Sequence, residues 1–133
     1  MNGDNIFDAE ESISPVKRKK VFVVNVSNHD LSDAERFGEL IPITVGATNP
    51  FQSDELTAMV AKVIAKSTTD DYLLLSGHRP LNSIASILWI FKNQHLKILI
   101  FNSKRRQYVQ RDLSLRHMQE LMARAVDSLK ETT

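Results

Sequence analysis

The chain has 133 residues, of which 42% are apolar and 25% charged; its net charge is +1 and it contains no cysteine. That length suits about one domain with one core. Disulfides, a thiolate nucleophile and Cys-ligated zinc are excluded, the near-neutral balance gives no general attraction to nucleic acid, and no run reaches the roughly 18 to 20 apolar residues that cross a bilayer.

In chain order, residues 1 to 16 are polar and aperiodic and end in Ser14-Pro15, which predicts a flexible charged arm over about 1–20 ahead of one domain over 21–133. The arm has no apolar stretch of the kind a secretory signal carries, so a soluble cytoplasmic protein is expected. Its basic run KRKK (17–20) follows Asp4, Asp8, Glu10 and Glu11, which offset it. VFVVNV (21–26) is apolar on both faces, as in a strand covered from both sides. ELIPITV (39–45) is a second strand, and Pro42 places it at an edge because it cannot donate to a ladder. Ser53, Asp54 and Glu55 open a helix whose buried face carries Leu56, Met59, Val60, Val63 and Ile64.

DYLLLS (71–76) is a third strand, followed by a helix from about Leu81 to Asn93. Leu81, Ile84, Ala85, Leu88 and Trp89 share one face of it, while Ile87, Ile90 and Phe91 spill onto another, so it is buried nearly all round or meets a partner. LKILIFN (96–102) is a fourth strand, and RRQYVQRDL (105–113) returns from it as an antiparallel hairpin after the basic turn SKRR (103–106). A last helix over about 114–130 has Met118, Leu121, Met122, Ala125, Val126 and Leu129 at helical spacing, which predicts a face packed on the core. The alternation of strands and helices predicts a three-layer, Rossmann-like α/β domain. Its sheet is mostly parallel, with about five strands in the order 2-1-3-4-5, an antiparallel edge hairpin and helices on both faces.

Open parallel sheets bind ligands beyond the carboxyl ends of their strands, where the strand order reverses. Two connections reach that edge. SNHDLSDAE (27–35) carries Ser32 and Glu35 at capping-box spacing, which leaves Asn28, His29 and Asp30 without a structural role. SGHRPLNS (76–83) passes through Gly77, which lets a ligand approach the main chain, into a helix start at Pro80 whose free N–H groups attract anions. His78 and Arg79 add donors suited to phosphate or carboxylate. This turn is neither a Walker loop nor a G-x-G-x-x-G loop, and two readings stand beside each other: an anion or nucleotide site, or a capped turn. The candidate ligand-binding set is Asn28, His29, Asp30, Ser76, Gly77, His78, Arg79, Asn82 and Ser83. No cofactor or metal is implied, because the histidine and aspartate spacing matches no ligand signature, and the absence of G-x-S-x-G speaks against a serine nucleophile beside a histidine. His95 is expected to cap a helix end, and His117 carries no role.

On VNVSNHDLSDAERFGEL, DYLLLSG, LNSIASILW and the LKILIFNSKRRQYVQRDL hairpin, about 21–113, the chain resembles a family of small α/β proteins encoded by bacteriophages and related mobile elements. The resemblance implies no reaction, and it implies the host cytoplasm as the place of action. A looser likeness, of fold alone, is to Rossmann-like domains that sense or cleave cyclic oligonucleotides at a sheet's carboxyl edge as dimers. The expected function is a non-catalytic module that binds a nucleotide or other phosphate-bearing small molecule, sequestering a host signal. The alternatives are a protein-interaction factor that binds a host or phage protein through an apolar helix or the arm, and a metal-independent phosphodiesterase using His29 or His78. A homo-oligomer is expected; a membrane or nucleic-acid partner is not.

Overall fold

The computed structural model describes residues 18–27, 30–49 and 53–131. Most of the expected arm, and Asn28 and His29 of the candidate set, lie outside them. The elements are β1 (Lys20–Val26), a 3-10 turn (Ser32–Arg36), β2 (Glu39–Val45), α1 (Ser53–Ile64), β3 (Tyr72–Leu74), α2 (Arg79–Asn93), β4 (His95–Asn102), β5 (Gln107–Ser114) and α3 (Leu115–Glu131). The five strands form one sheet in the order β2-β1-β3-β4-β5. β1 to β4 run parallel and β5 is antiparallel, as the sequence predicts. Pro42 stands on the edge strand β2.

β1 is buried on both faces, which explains its unbroken apolar run. On one face Phe22, Val24, Ile43, Leu73, Leu96 and Ile98 meet Leu56, Val60 and Ile64 of α1 and Leu81, Ala85 and Trp89 of α2. Steps of four residues along each helix turn these side chains toward the sheet. Met59, expected on the buried face of α1, is exposed on its flank instead. Trp89 anchors this face: it is fully buried, meets the Phe22 ring edge-on at 5.4 Å, and donates Nε1–H to the His95 carbonyl at 3.1 Å. On the other face Val21, Val23, Tyr72, Leu74, Leu99 and Tyr108 lie beneath Ala34 of the 3-10 turn, with Leu31 and Phe37 packed beside them.

Two local expectations change. Ser32 and Glu35 form no capping box, since the turn is a 3-10 helix whose cap position, Leu31, makes no side-chain cap bond; Ser32 N–H is instead satisfied by Asp30 Oδ1 at 2.9 Å. The last helix is not part of the core either: no residue of α3 is buried. The reason is covalent. α3 follows β5 with no intervening residue, and Leu115, its first residue, still gives its N–H to the Gln94 carbonyl at 2.9 Å as the ladder ends. No chain is left for the reversal that would lay α3 back on its own sheet.

Because Trp89 fills the space between α2 and the middle of the sheet, Trp89→Ala is expected to destabilise the fold by about 3 to 5 kcal/mol. A lowered denaturant midpoint with an unchanged slope is the measurement.

Candidate functional site at the carboxyl edge

The turn after β3 is organised around Asn25, a buried polar residue near the end of β1. Its side-chain amide donates to Thr44 Oγ1 and to the Gly46 carbonyl, each at 2.8 Å, which ties β1 to the end of β2. Thr44 Oγ1 in turn donates to the Val24 carbonyl at 2.7 Å. On the other side the ladder between β1 and β3 stops at Val23 and Leu74. Ser76, two residues further along and opposite Asn25 in that register, continues it with its side chain: Oγ accepts the Asn25 N–H at 2.9 Å and donates to the Asn25 carbonyl at 2.7 Å. One hydroxyl therefore replaces the backbone pair that a longer β3 would supply.

Gly77 has φ +80°, and a Cβ built there would lie 2.7 Å from the Asn25 Cβ. What approaches its main chain is Asn25. His78 caps α2, its Nδ1 accepting the Leu81 N–H at 3.2 Å. That pattern puts the ring proton on Nε2, which donates to Thr48 Oγ1 at 2.6 Å. Both ring nitrogens are engaged, so acid or base chemistry at His78 would break the cap. Asn82 folds back on the turn, accepting the Ser76 N–H at 2.9 Å and donating to the Gly77 and His78 carbonyls. Of the SGHRPLNS candidates, Arg79 and Ser83 are exposed and have no polar partner among the described residues.

Asp30 lies on the other side of this edge. With Leu75, Ser76, Phe101 and Tyr108 it lines a cleft of about 360 Å³. The cleft thus gathers Asp30 and Ser76 from the candidate set and adds Phe101 and Tyr108, which sequence reasoning missed; their rings pack at 5.1 Å. The Phe101↔Tyr108 cross-strand pair was available from the hairpin register as a signal. His78, Arg79, Asn82 and Ser83 do not line it.

Beneath the cleft the 3-10 turn grips the main chain of β5. Asp33 Oδ2 accepts the Tyr108 N–H at 2.7 Å, Arg36 donates to the Tyr108 carbonyl at 2.8 Å, and the two side chains join through Arg36 Nε and Asp33 Oδ1 at 3.2 Å. The Tyr108 N–H bond, with Arg36 beside it, holds the Asp33 carboxyl below the usual carboxylate range. The Ser32 backbone N–H lowers that of Asp30, and burial, reinforced by these two acids, raises that of the Tyr108 hydroxyl. Asp30 and Asp33 thus put negative charge beside the Tyr108 hydroxyl, and Arg36 offsets part of it through its pair with Asp33.

One basic cluster lies at the opposite edge of the sheet, while the other, SKRR, directly joins the ends of β4 and β5 that carry Phe101 and Tyr108. Arg18, Lys19 and Lys20 meet Lys66, Glu39, Asp70 and Asp71 around a 510 Å³ cleft at the amino edge of the sheet, where the charges are mixed. SKRR forms the β4–β5 turn, in which Asn102 Oδ1 accepts the Lys104 and Arg105 N–H groups. His95 is the first residue of β4 rather than a cap; Gln94, in the left-handed conformation, ends α2 by donating its N–H to the Ile90 carbonyl. Among the described residues no helix is long and apolar enough to cross a membrane.

The geometry defines an α/β domain with a closed, self-bonded turn on one side of its carboxyl edge and an aromatic and acidic cleft on the other. Residues 16–115 match the model of the Phage Pam3 gp32-like protein family. The chain belongs to that bacteriophage family. No curated protein and no solved structure matches it.

Two outcomes follow from the turn and the clamp. Gly77→Ala should lower stability by about 1 to 3 kcal/mol, since a side chain there meets both left-handed strain and the Asn25 contact; a chemical denaturation curve measures it. Asp30 and Asp33 have lowered carboxyl pKa values in the fold, so their contribution to stability is present above the ordinary carboxylate range near pH 4 and is lost as pH falls through the lowered values. Asp33→Asn should flatten that acid limb of a stability-versus-pH curve.

Proposed function

We propose that this phage-family protein is a protein-interaction factor that works through an exposed apolar helix. The observation behind this reading is α3: 17 residues long, apolar along one stripe, and with none of its side chains buried. Leu121, Met122 and Val126 on that stripe are 44 to 65% exposed. Three large apolar side chains in one row on a soluble domain mark a surface that another molecule covers. The family is one of phage proteins, so the candidate partners are phage or host proteins. Leu121→Glu with Val126→Glu should move the melting temperature little, because surface changes away from packed features stay within about 0.5 kcal/mol. The same variant should lose the complexes that the wild type forms on chemical cross-linking in infected-cell extract. Loss of the fold in this variant, or complexes unchanged from wild type, would count against the helix.

A second reading is supported by Arg79. It is exposed at the positive end of α2 without a polar partner among the described residues, a position open to a nucleotide or other phosphate-bearing small molecule. The polar groups of Ser76, His78 and Asn82 are already bonded within the turn, so this reading rests on Arg79 and the helix start alone. A ligand at 100 times its Kd stabilises a protein by about 2.7 kcal/mol, which a thermal scan across linear and cyclic nucleotides detects. Arg79→Ala should leave the unliganded melting curve in place and abolish any such shift; a panel with no shift removes the reading.

A further inference from the structure

We infer that the partner of α3 is a second copy of this chain, and that each α3 seats on the apolar strip that β4 and β5 expose beside α2. This inference rests on the interaction reading above and names its occupant. Ile100 and Val109 face each other across the hairpin, as do Leu96 and Leu113. Leu96 belongs to the core beneath α1 and α2, so Ile100, Val109 and Leu113 lie on that same side of the sheet. They are nevertheless 38 to 44% exposed. Arg111, paired with Ile98 on the same side of the sheet, shares the floor with an apolar stem that can lie along it.

The two surfaces match in length. From Leu113 to Val109 the strip runs about 13 Å at strand rise, and from Met118 to Val126 the helix stripe runs about 12 Å at 1.5 Å per residue. They cannot meet within one chain, since β5 enters α3 without a connecting residue. A two-fold arrangement satisfies both at once, each helix covering the strip of the other copy. With a footprint of about 10 by 13 Å on each surface, two seated helices remove roughly 500 Å² from water, below the size of a stable interface and in the range of weak, reversible contacts. The dimer should therefore dissociate on dilution. Association by strand addition is opposed at β5, where Asp33 and Arg36 already hold the outward N–H and carbonyl of Tyr108.

The test uses the full chain. Light scattering after gel filtration should give a dimer that falls to monomer on dilution. Leu121→Glu with Val126→Glu on the helix, and separately Val109→Glu on the sheet, should each give monomer at the concentration where wild type is dimeric, with unchanged circular dichroism. The chain has no cysteine of its own, so Val109→Cys and Val126→Cys, made in separate copies, mixed and oxidised, should cross-link to each other. A dimer that survives Val109→Glu and cross-links only between two Val126→Cys copies means helix-to-helix pairing and overturns the seating. A wild type that is monomeric at all concentrations overturns the second copy as partner; if α3-dependent complexes persist in extract, the broader interaction reading stands without it.

Discussion

The carboxyl edge depends on one contact: the Asn25 side chain at the end of β1 packs against the bare Cα of Gly77 and carries hydrogen bonds to β2. A buried amide left unpaired costs about 1 to 3 kcal/mol, so Asn25 is tolerable only because Thr44 and the Gly46 carbonyl, at the end of β2, accept its two side-chain N–H groups. Ser76 completes the arrangement by bonding both backbone groups of Asn25 where β3 has already left the sheet. That early departure lets the chain turn at Gly77 and start α2 at once, with His78 as its cap. The position of α2, and with it the burial of Trp89, therefore follows from the end of a three-residue strand.

This contact also changes what the turn can do. A glycine followed by histidine, arginine and proline at a helix start has the composition of an anion site, but the same composition serves a turn that must satisfy its own polar groups under a close approach. The choice is decided by atoms remote in sequence. Thr48 takes the second nitrogen of His78, and Asn25 takes the hydroxyl of Ser76, which leaves Arg79 as the one charged side chain of the turn directed at solvent.

The strands, their order and the antiparallel hairpin were legible in the sequence because both-face apolar runs bounded by Gly, Asn and Asp identify central strands, and Pro42 identifies an edge. Asp30 and Ser76 were legible as neighbours because the strand order brings the loops after β1 and β3 together. The Asp33–Arg36 grip on Tyr108 was not, since it joins residues 75 and 72 positions apart and has no local pattern. Phe101 and Tyr108 read as ordinary hairpin residues, and only the register turns them both toward the cleft. The last helix was misplaced for a related reason. An apolar stripe at helical spacing has the same appearance whether it covers its own core or another surface, and what separates the two is the length of the connection before it. That length is zero here.

Both sheet edges are interrupted against strand addition, by different means. At β2 the Glu39 N–H points to β1, where it meets the Lys19 carbonyl, so the alternation of the strand turns position 42 outward, and Pro42 has no N–H to offer there. At β5 the side chains of the 3-10 turn occupy the outward groups of Tyr108. Edge-to-edge growth, which has no natural end, is thereby suppressed. Exposed apolar side chains are left mainly on faces, among them the stripe of α3 and the strip of β4 and β5, and the two-fold seating proposed above is a contact between faces that closes on itself.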